Sequence, residues 1–297
     1  MSQFPTVSII IPFYGKSELQ LLKCLNALNN QSYSKSKIEI LVIDNNEIPI
    51  LKEKLKSNNE VIILHENKFG SYAARNKGIE IAKGEVLAFT DSDCLPDSDW
   101  LKNAVTVLQT RNLTSAVAGN IIFTYQKLNQ PNLFEFYDST IHLRQEFYVI
   151  NYGFAVTANF VVPKHIFVEC GNFNTTFYSG GDREWGERAT KNGYKLFFEK
   201  DVIVFHPARS TAFSIIKKNI RTVGGEFIRF KSKGKNGFSV LLMEKNAIKE
   251  RRKIIVNGIR TSNNISLLKI YLFFYVVQAF RLFEALRLNL GGTPQRQ

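Results

Sequence analysis

The sequence predicts an α/β fold: a doubly wound mixed sheet with helices on both faces, followed by a helical C-terminal extension. Three observations carry this expectation. Short β-branched runs alternate with segments of helical periodicity through residues 1–115. Acidic residues stand where two of those runs end. Residues 213–297 then change in character, becoming basic and apolar by turns.

Val7 to Pro12 is a β-branched run closed by a proline, which reads as a strand buried on both faces in a parallel sheet. Leu21, Leu22, Leu25 and Leu28 recur at helical spacing after Ser17, the expected N-cap, with Gln20 three residues on. Ile38 to Ile43 is a second strand and ends in Asp44-Asn45-Asn46. Val61 to Leu64 is a third, Ala73 to Lys83 is helical, and Val86 to Thr90 is a fourth strand that runs into Asp91-Ser92-Asp93. Ser98 to Arg111 sets Trp100, Leu101, Ala104, Val105 and Leu108 on one helical face.

Further on, Ala116 to Phe123 and Phe154 to Val162 are strand-like and extend the sheet antiparallel, with an aromatic, polar stretch of no interpretable spacing between them. A helix runs from Asp182 through Asn192 to Gly193. Two strands follow, Lys195 to Phe198 and Val202 to Phe205, the second delivering His206. The domains expected are a catalytic one over 1–212, divided near 115 into a donor half and an acceptor half, and the extension over 213–297.

With 297 residues, 44% of them hydrophobic, the chain can bury a large core without disulfide or metal support. Cys24, Cys94 and Cys170 are odd in number and have no C-x-x-C spacing, which excludes a disulfide framework and a structural zinc site and implies a reducing compartment. Met1 to Pro5 has no basic region, so no signal peptide and a cytoplasmic location are expected. Lys and Arg number 39 against 26 Asp and Glu, a net charge of +13. Residues 214–260 carry 13 of these cations against Glu226, Glu244 and Glu250. Such a surplus suits an anionic partner: a phosphate-bearing ligand, nucleic acid or an acidic membrane surface. Ile265 to Phe283 is apolar but for Ser266, Lys269, Gln278 and Arg281. It is open to three readings: lying in the interface of an anionic membrane, packing on the catalytic domain, or spanning.

Asp91-Ser92-Asp93 lies at a strand's C-terminal end, where open α/β sheets bind ligands. Two carboxylates at that spacing can hold a divalent ion and a ribose hydroxyl, or they form a solvated turn. Asp44 ends its strand on the same edge, with an Asx-turn as the alternative. The loop Phe13-Tyr14-Gly15 has neither G-x-G-x-x-G nor a P-loop, which excludes a dinucleotide dehydrogenase and a P-loop NTPase. Gly180 to Arg188 puts Asp182 in a first helical turn, where the dipole keeps a carboxylate ionised and fit to act as a general base. Glu184 and Arg188 have salt-pair spacing. Trp185 reads equally as core or sugar platform. His206 can reach Asp93 across the sheet edge as a second ligand for Mn2+ or Mg2+.

This ordered set resembles the family 2 glycosyltransferases, which have a GT-A fold with a Rossmann-like sheet. The resemblance covers about residues 6 to 210. It rests on Val7 to Pro12, Cys24-Leu25, Gln31-Ser32-Tyr33, Ile40 to Asp44, Ala74 to Gly78, Gly84, Asp91-Ser92-Asp93, Gly171 to Phe173, Asp182 to Arg188, Gly193-Tyr194 and His206. It implies an inverting, metal-dependent transferase with a nucleotide-sugar donor, a UDP-sugar in the first instance. The donor's base and ribose would meet Pro12, Tyr14, Asp44 and Arg75. Asp91 would face the ribose, Asp93 and His206 would hold Mn2+ or Mg2+, and Asp182 would take the proton from a saccharide or lipid-linked acceptor.

Gly181 stands where many relatives have glutamate, so Glu184 is carried as the alternative base. The implied setting is polysaccharide or glycolipid assembly at the inner face of the cell membrane. The rival readings are a sugar-nucleotide nucleotidyltransferase, which would want a Gly- and Lys-rich first loop, and a non-catalytic carbohydrate- or nucleic-acid-binding protein. No nucleic-acid partner is expected.

Overall fold

The computed structural model describes residues 4–15, 18–51, 61–260 and 266–295. Lys16, the expected cap Ser17 and Ile265 lie outside them. Elements follow the expected order: β1 (Val7–Phe13), α1 (Leu19–Asn29), β2 (Ile38–Asp44), β3 (Val61–His65), α2 (Ser71–Ile81), β4 (Val86–Thr90), β5 (Leu95–Pro96), α3 (Trp100–Thr110) and β6 (Ser115–Thr124). Then come α4 (Leu133–Ile141), α5 (Gln145–Tyr152), β7 (Asn159–Pro163), α6 (Lys164–Cys170), α7 (Gly181–Lys191), β8 (Lys195–Pro207), α8 (Ala212–Ser232), α9 (Gly237–Arg260) and α10 (Leu267–Asn289).

The chain divides into two compact units, one of residues 1–122, 144–175 and 181–206, the other of 123–143, 176–180 and 207–297. The first holds an eight-stranded sheet ordered β3-β2-β1-β4-β7-β6-β8-β5. β3, β2, β1 and β4 are parallel, and β7 turns antiparallel against β4 and β6. β1 and β4 are almost wholly buried, which is why their sequences run apolar without alternation. Gly78 lets α2 close on β1: a Cβ there would come within 2.5 Å of Ile10 Cγ2.

Two expectations are corrected. The strand expected from Phe154 begins only at Asn159, whose register partner is Thr90 at the end of β4. The backbone before it is held instead by Gln145, which accepts from Val156 N (2.8 Å) and donates to Asn159 O (2.7 Å). The two strands expected at 195–198 and 202–205 are one, β8, because Glu199-Lys200-Asp201 is a polar, outward stretch of strand rather than a turn.

In the second unit, α4 was not legible in the aromatic stretch. It starts at a capping box in which Asn132 accepts from Phe134 and Glu135 N–H groups and Glu135 reaches back to Asn132 N. Phe136 and Tyr137 of α4 pack with Ile215 of α8, Ile255 of α9 and Ile270, Phe273, Phe274 and Val277 of α10. Beside this core, Asp138 accepts from His142 Nδ1 (2.7 Å), Arg209 N (2.9 Å) and Lys218 Nζ (3.5 Å). Burial alone would raise the Asp138 carboxyl, but Lys218, the His142 hydrogen bond and Arg209 hold it well below the usual range.

Of the polar interruptions of the apolar tail, Ser266 and Lys269 are exposed, and Gln278 and Arg281 turn inward. Arg281 is 5% exposed and pairs with Glu244 of α9 at 2.7 Å, while Arg251 bonds both Glu244 (2.7 Å) and Gln278 (3.0 Å). Among the described residues no helix is long and apolar enough to cross a membrane.

Candidate active site

The parallel register aligns the acidic strand ends. Phe13 of β1 pairs with Asp44, and Ile10 pairs with Phe89, so Asp91 comes level with Pro12 at the same C-terminal edge. The short β5–β8 pairing, Leu95 with Phe205, then brings the residues on either side together: Asp93-Cys94 on one strand, His206 on the other. Ligand atoms of Asp91, Asp93, Cys94 and His206 all lie within 4.8 Å of one another. Burial pushes the Cys94 thiol well up, so it stays protonated beside the carboxylates. Carboxylate oxygens and an imidazole are donors that suit Mn2+ or Mg2+, and the expected pair Asp93 and His206 belongs to this group.

α2 connects this cluster to the expected base. Arg75, 4% exposed, donates from Nη2 to Asp91 Oδ1 at 2.5 Å. Its Nε is buried with no hydrogen-bond partner among the described residues. One turn earlier, Tyr72 donates its hydroxyl to Asp182 Oδ1 (3.2 Å), and the Arg75 guanidinium stands 5.7 Å from the centre of the Tyr72 ring. Asp182 opens α7 and also accepts from Arg183 N at 2.9 Å. Loss of solvent at its carboxylate raises its pKa; the Arg183 N–H, Arg75 and Tyr72 offset part of that rise.

Tyr72 was not singled out from sequence. The pair Gly180-Gly181 was its signal, since a Cβ at Gly181 would come within 2.8 Å of the Tyr72 ring. Gly181 thus makes room for a tyrosine.

Glu184, carried as the alternative base, lies on the same helix. Two residues on from Asp182 it projects about 200° around the helix and pairs with Arg188 at 3.0 Å. Arg188 in turn donates to Gly171 O (3.1 Å), Asn172 O (2.9 Å) and Cys170 O, tying α7 to the loop after α6. Trp185 is core: it is 1% exposed, stacks on Phe167 with ring centres 4.3 Å apart, and donates to Gly171 O.

At the other end of the edge, Asp44 is 1% exposed and accepts from Ile50 N, Leu51 N and both Asn46 N and Nδ2. Its oxygens are taken up by its own loop, as an Asx-turn requires. Asn45 fastens the same loop to Glu66 O, Lys68 O and Gly70 N at the start of α2. Tyr14 is 56% exposed and meets Phe69 edge-on at 5.2 Å, and Pro12, half-buried, stands two residues before it at the Asp91 level.

Comparison with known proteins places the chain in a family. The chain is 39% identical over 230 residues to glycosyltransferase AglE of Haloferax volcanii, covering 76% of this chain and 74% of that protein. It is 27% identical over 227 residues to the dolichyl N-acetyl-alpha-D-glucosaminyl phosphate 3-beta-D-2,3-diacetamido-2,3-dideoxy-beta-D-glucuronosyltransferase of Methanococcus voltae, covering 72% and 70%. A mannosyltransferase of Pyrobaculum calidifontis, solved with GDP-mannose and Mn2+, superposes over 98% of this chain and 88% of its own with a TM-score of 0.64 at 19% identity, which is a likeness of fold. The sequence model of glycosyl transferase family 2 matches residues 8–181, and with the strand-end acids it contains, the chain belongs to that family, a glycosyltransferase of the GT-A fold.

Proposed function

We propose that the protein is an inverting, metal-dependent transferase that moves a sugar from a nucleotide-sugar, a UDP-sugar in the first instance, to a hydroxyl of a saccharide or lipid-linked acceptor. Its setting is polysaccharide or glycolipid assembly at the inner face of the cell membrane. Residues 1–115 serve the donor, 116–212 the acceptor, and 213–297 form the extension. The observation that supports this reading is the run Asp182–Tyr72–Arg75–Asp91, in which two residues of one helix contact both the Asp182 carboxylate and the cluster of Asp91, Asp93, Cys94 and His206.

Asp182 takes the proton of the acceptor hydroxyl as its oxygen attacks C1 of the donor sugar. The bond from C1 to the diphosphate oxygen breaks, and the pair of electrons leaves with the nucleoside diphosphate. A single base that admits the acceptor opposite the leaving group inverts C1. Arg75, with an unmet N–H, neutralises charge on the departing side. Asp93 and His206 would hold Mn2+ or Mg2+, which when bound supplies neutralisation of the diphosphate charge. Asp91 faces the donor ribose. Tyr14 and Pro12 line the base, and Asp44 acts on it through the loop it folds.

The test is nucleotide release from a panel of UDP-, GDP- and dTDP-sugars with Mn2+, Mg2+ or EDTA, on wild type and Asp93→Ala. Metal-dependent release from one donor, lost in the variant, is expected. Absence of both release and metal-dependent nucleotide binding across the panel would overturn the reading. The neighbours favour Mn2+ as the first metal to try, one solved with GDP-mannose and another, GalNAc-T7, with UDP.

A further inference from the structure

α10 shows an apolar face to solvent and, among the apolar side chains of its inner face, buries three polar ones, an inversion of the usual pattern of a surface helix. Buried inside are Gln278 (2% exposed), Arg281 (5%) and Glu284 (2%). Turned out are Leu268 (79%), Leu272 (66%), Phe283 (66%) and Leu290 (77%), with Tyr275, Val276 and Leu286 between them. At 100° per residue, Leu268, Leu272, Tyr275, Val276, Phe283, Leu286 and Leu290 fall within about 100° of one another, a stripe some 33 Å long at 1.5 Å per residue. Monomeric proteins seldom leave an apolar strip of that length open to water. The inversion is enforced from within: Arg281 and Gln278 are held by Glu244, Arg251 and Asn219, so rolling the helix to hide its leucines would break a buried ion network.

From this stripe and the charges beside it, we propose that the helical extension docks on the surface of an anionic bilayer, with the outer face of α10 inserted at the headgroup–acyl boundary. This deepens the membrane part of the reading above and is independent of the donor chemistry.

Charge selects the bilayer over a second copy of the chain. The outer face of α10 carries no acid, and Lys269 stands exposed near its start. On α9, which packs beside it, the exposed residues include Lys245, Lys249, Arg252 and Lys253 against Glu250. The α8–α9 turn adds Lys231, Lys233 and Lys235 and abuts the far end of α10, where a Cβ at Gly237 would lie 3.0 Å from Asn289 Cα. A two-fold contact through the stripe would bring together two copies of an extension that carries 13 Lys and Arg against three Glu over residues 214–260. An anionic lipid surface neutralises these cations.

The experiment is co-sedimentation of the full chain with phosphatidylcholine vesicles, with and without about 30 mol % phosphatidylglycerol, at low and high salt. The wild type is expected to sediment with the anionic vesicles, and Leu272→Asp/Phe283→Asp to bind about tenfold more weakly or worse. Lys249→Glu/Lys253→Glu keeps the stripe and is expected to lose the preference for phosphatidylglycerol. Both variants should release nucleotide in solution at the wild-type rate, since neither touches the proposed site. Binding with no nucleotide release would remove the transferase mechanism and leave this inference standing. A wild type that stays in the supernatant with both vesicles would overturn it. So would a dimer by light scattering that Leu272→Asp/Phe283→Asp dissociates.

Discussion

The hydroxyl of Tyr72 donates to Asp182 Oδ1 across 3.2 Å, and the ring that carries it lies against Gly181, the residue immediately before. The proposed base is thus positioned by a side chain 110 residues away in sequence, and only a glycine leaves room for it.

Tyr72→Phe removes one bond to the charged form of Asp182, so a carboxyl already raised by burial rises further. The acid limb of kcat/KM is expected to move to higher pH, with activity recovering at high pH. Asp182→Asn is expected to cost about a hundred- to ten-thousand-fold at every pH. A pH–rate profile checks both; an unmoved acid limb in Tyr72→Phe would detach Tyr72 from the base.

Glu184 and Arg188 act in stability. Arg188→Ala strands three carbonyl oxygens and the Glu184 carboxylate, and is expected to lower stability by about 2–3 kcal/mol with kcat per folded molecule nearly unchanged. Glu184→Gln should leave kcat within about threefold. Urea unfolding and turnover, measured side by side, decide whether Glu184 has any part in proton transfer.

Asp93→Ala is expected to weaken Mn2+ binding, read by the loss of the free-ion electron paramagnetic resonance signal, and Arg75→Lys to leave it intact. Arg75→Lys should instead slow nucleotide release by about tenfold or more, since a lysine cannot hold Asp91 and present a second donor at the Nε position.

Acid should loosen the second unit first. Burial, then Lys218, holds the His142 imidazole down to about 4 from an ordinary 6.5. Its folded pKa lies below its unfolded one, so the unfolded chain protonates first. Stability is therefore full above about pH 6.5 and is lost as pH falls toward 4, by about 3 kcal/mol at most. Asp138, held low by its cations, adds to the loss below the ordinary carboxylate range. His142→Gln should flatten the dependence between pH 6.5 and 4. Asp138→Asn should cost about 3 kcal/mol at pH 7 by leaving Lys218 and Arg209 unmatched. Denaturant unfolding at pH 7 and pH 5 measures both.

The alternation of β-branched runs with helical periods, and acids closing two of those runs, made the sheet and its acidic edge readable from sequence. The reason is local: period, β-branching and strand-end position are properties of neighbours in the chain. The helix α4 was hidden because its only signal, Asn132 with Glu135, sat in an aromatic stretch without periodicity. Asp91-Ser92-Asp93 could be read as a site, but that His206 comes within 4.8 Å of it follows from the antiparallel register of β5 on β8.

What the sequence by itself determined is the order of elements, the acids at strand ends and the basic, apolar character of the tail, because each is written in consecutive residues. Only the tertiary structure decided that Tyr72, far away in sequence, joins Arg183 N–H on Asp182, that Arg75 meets Asp91, and that α10 buries Gln278, Arg281 and Glu284 while Leu268, Leu272 and Phe283 stay exposed. Those outcomes depend on which distant side chains share one buried space, where an unmatched charge costs more than an exposed leucine.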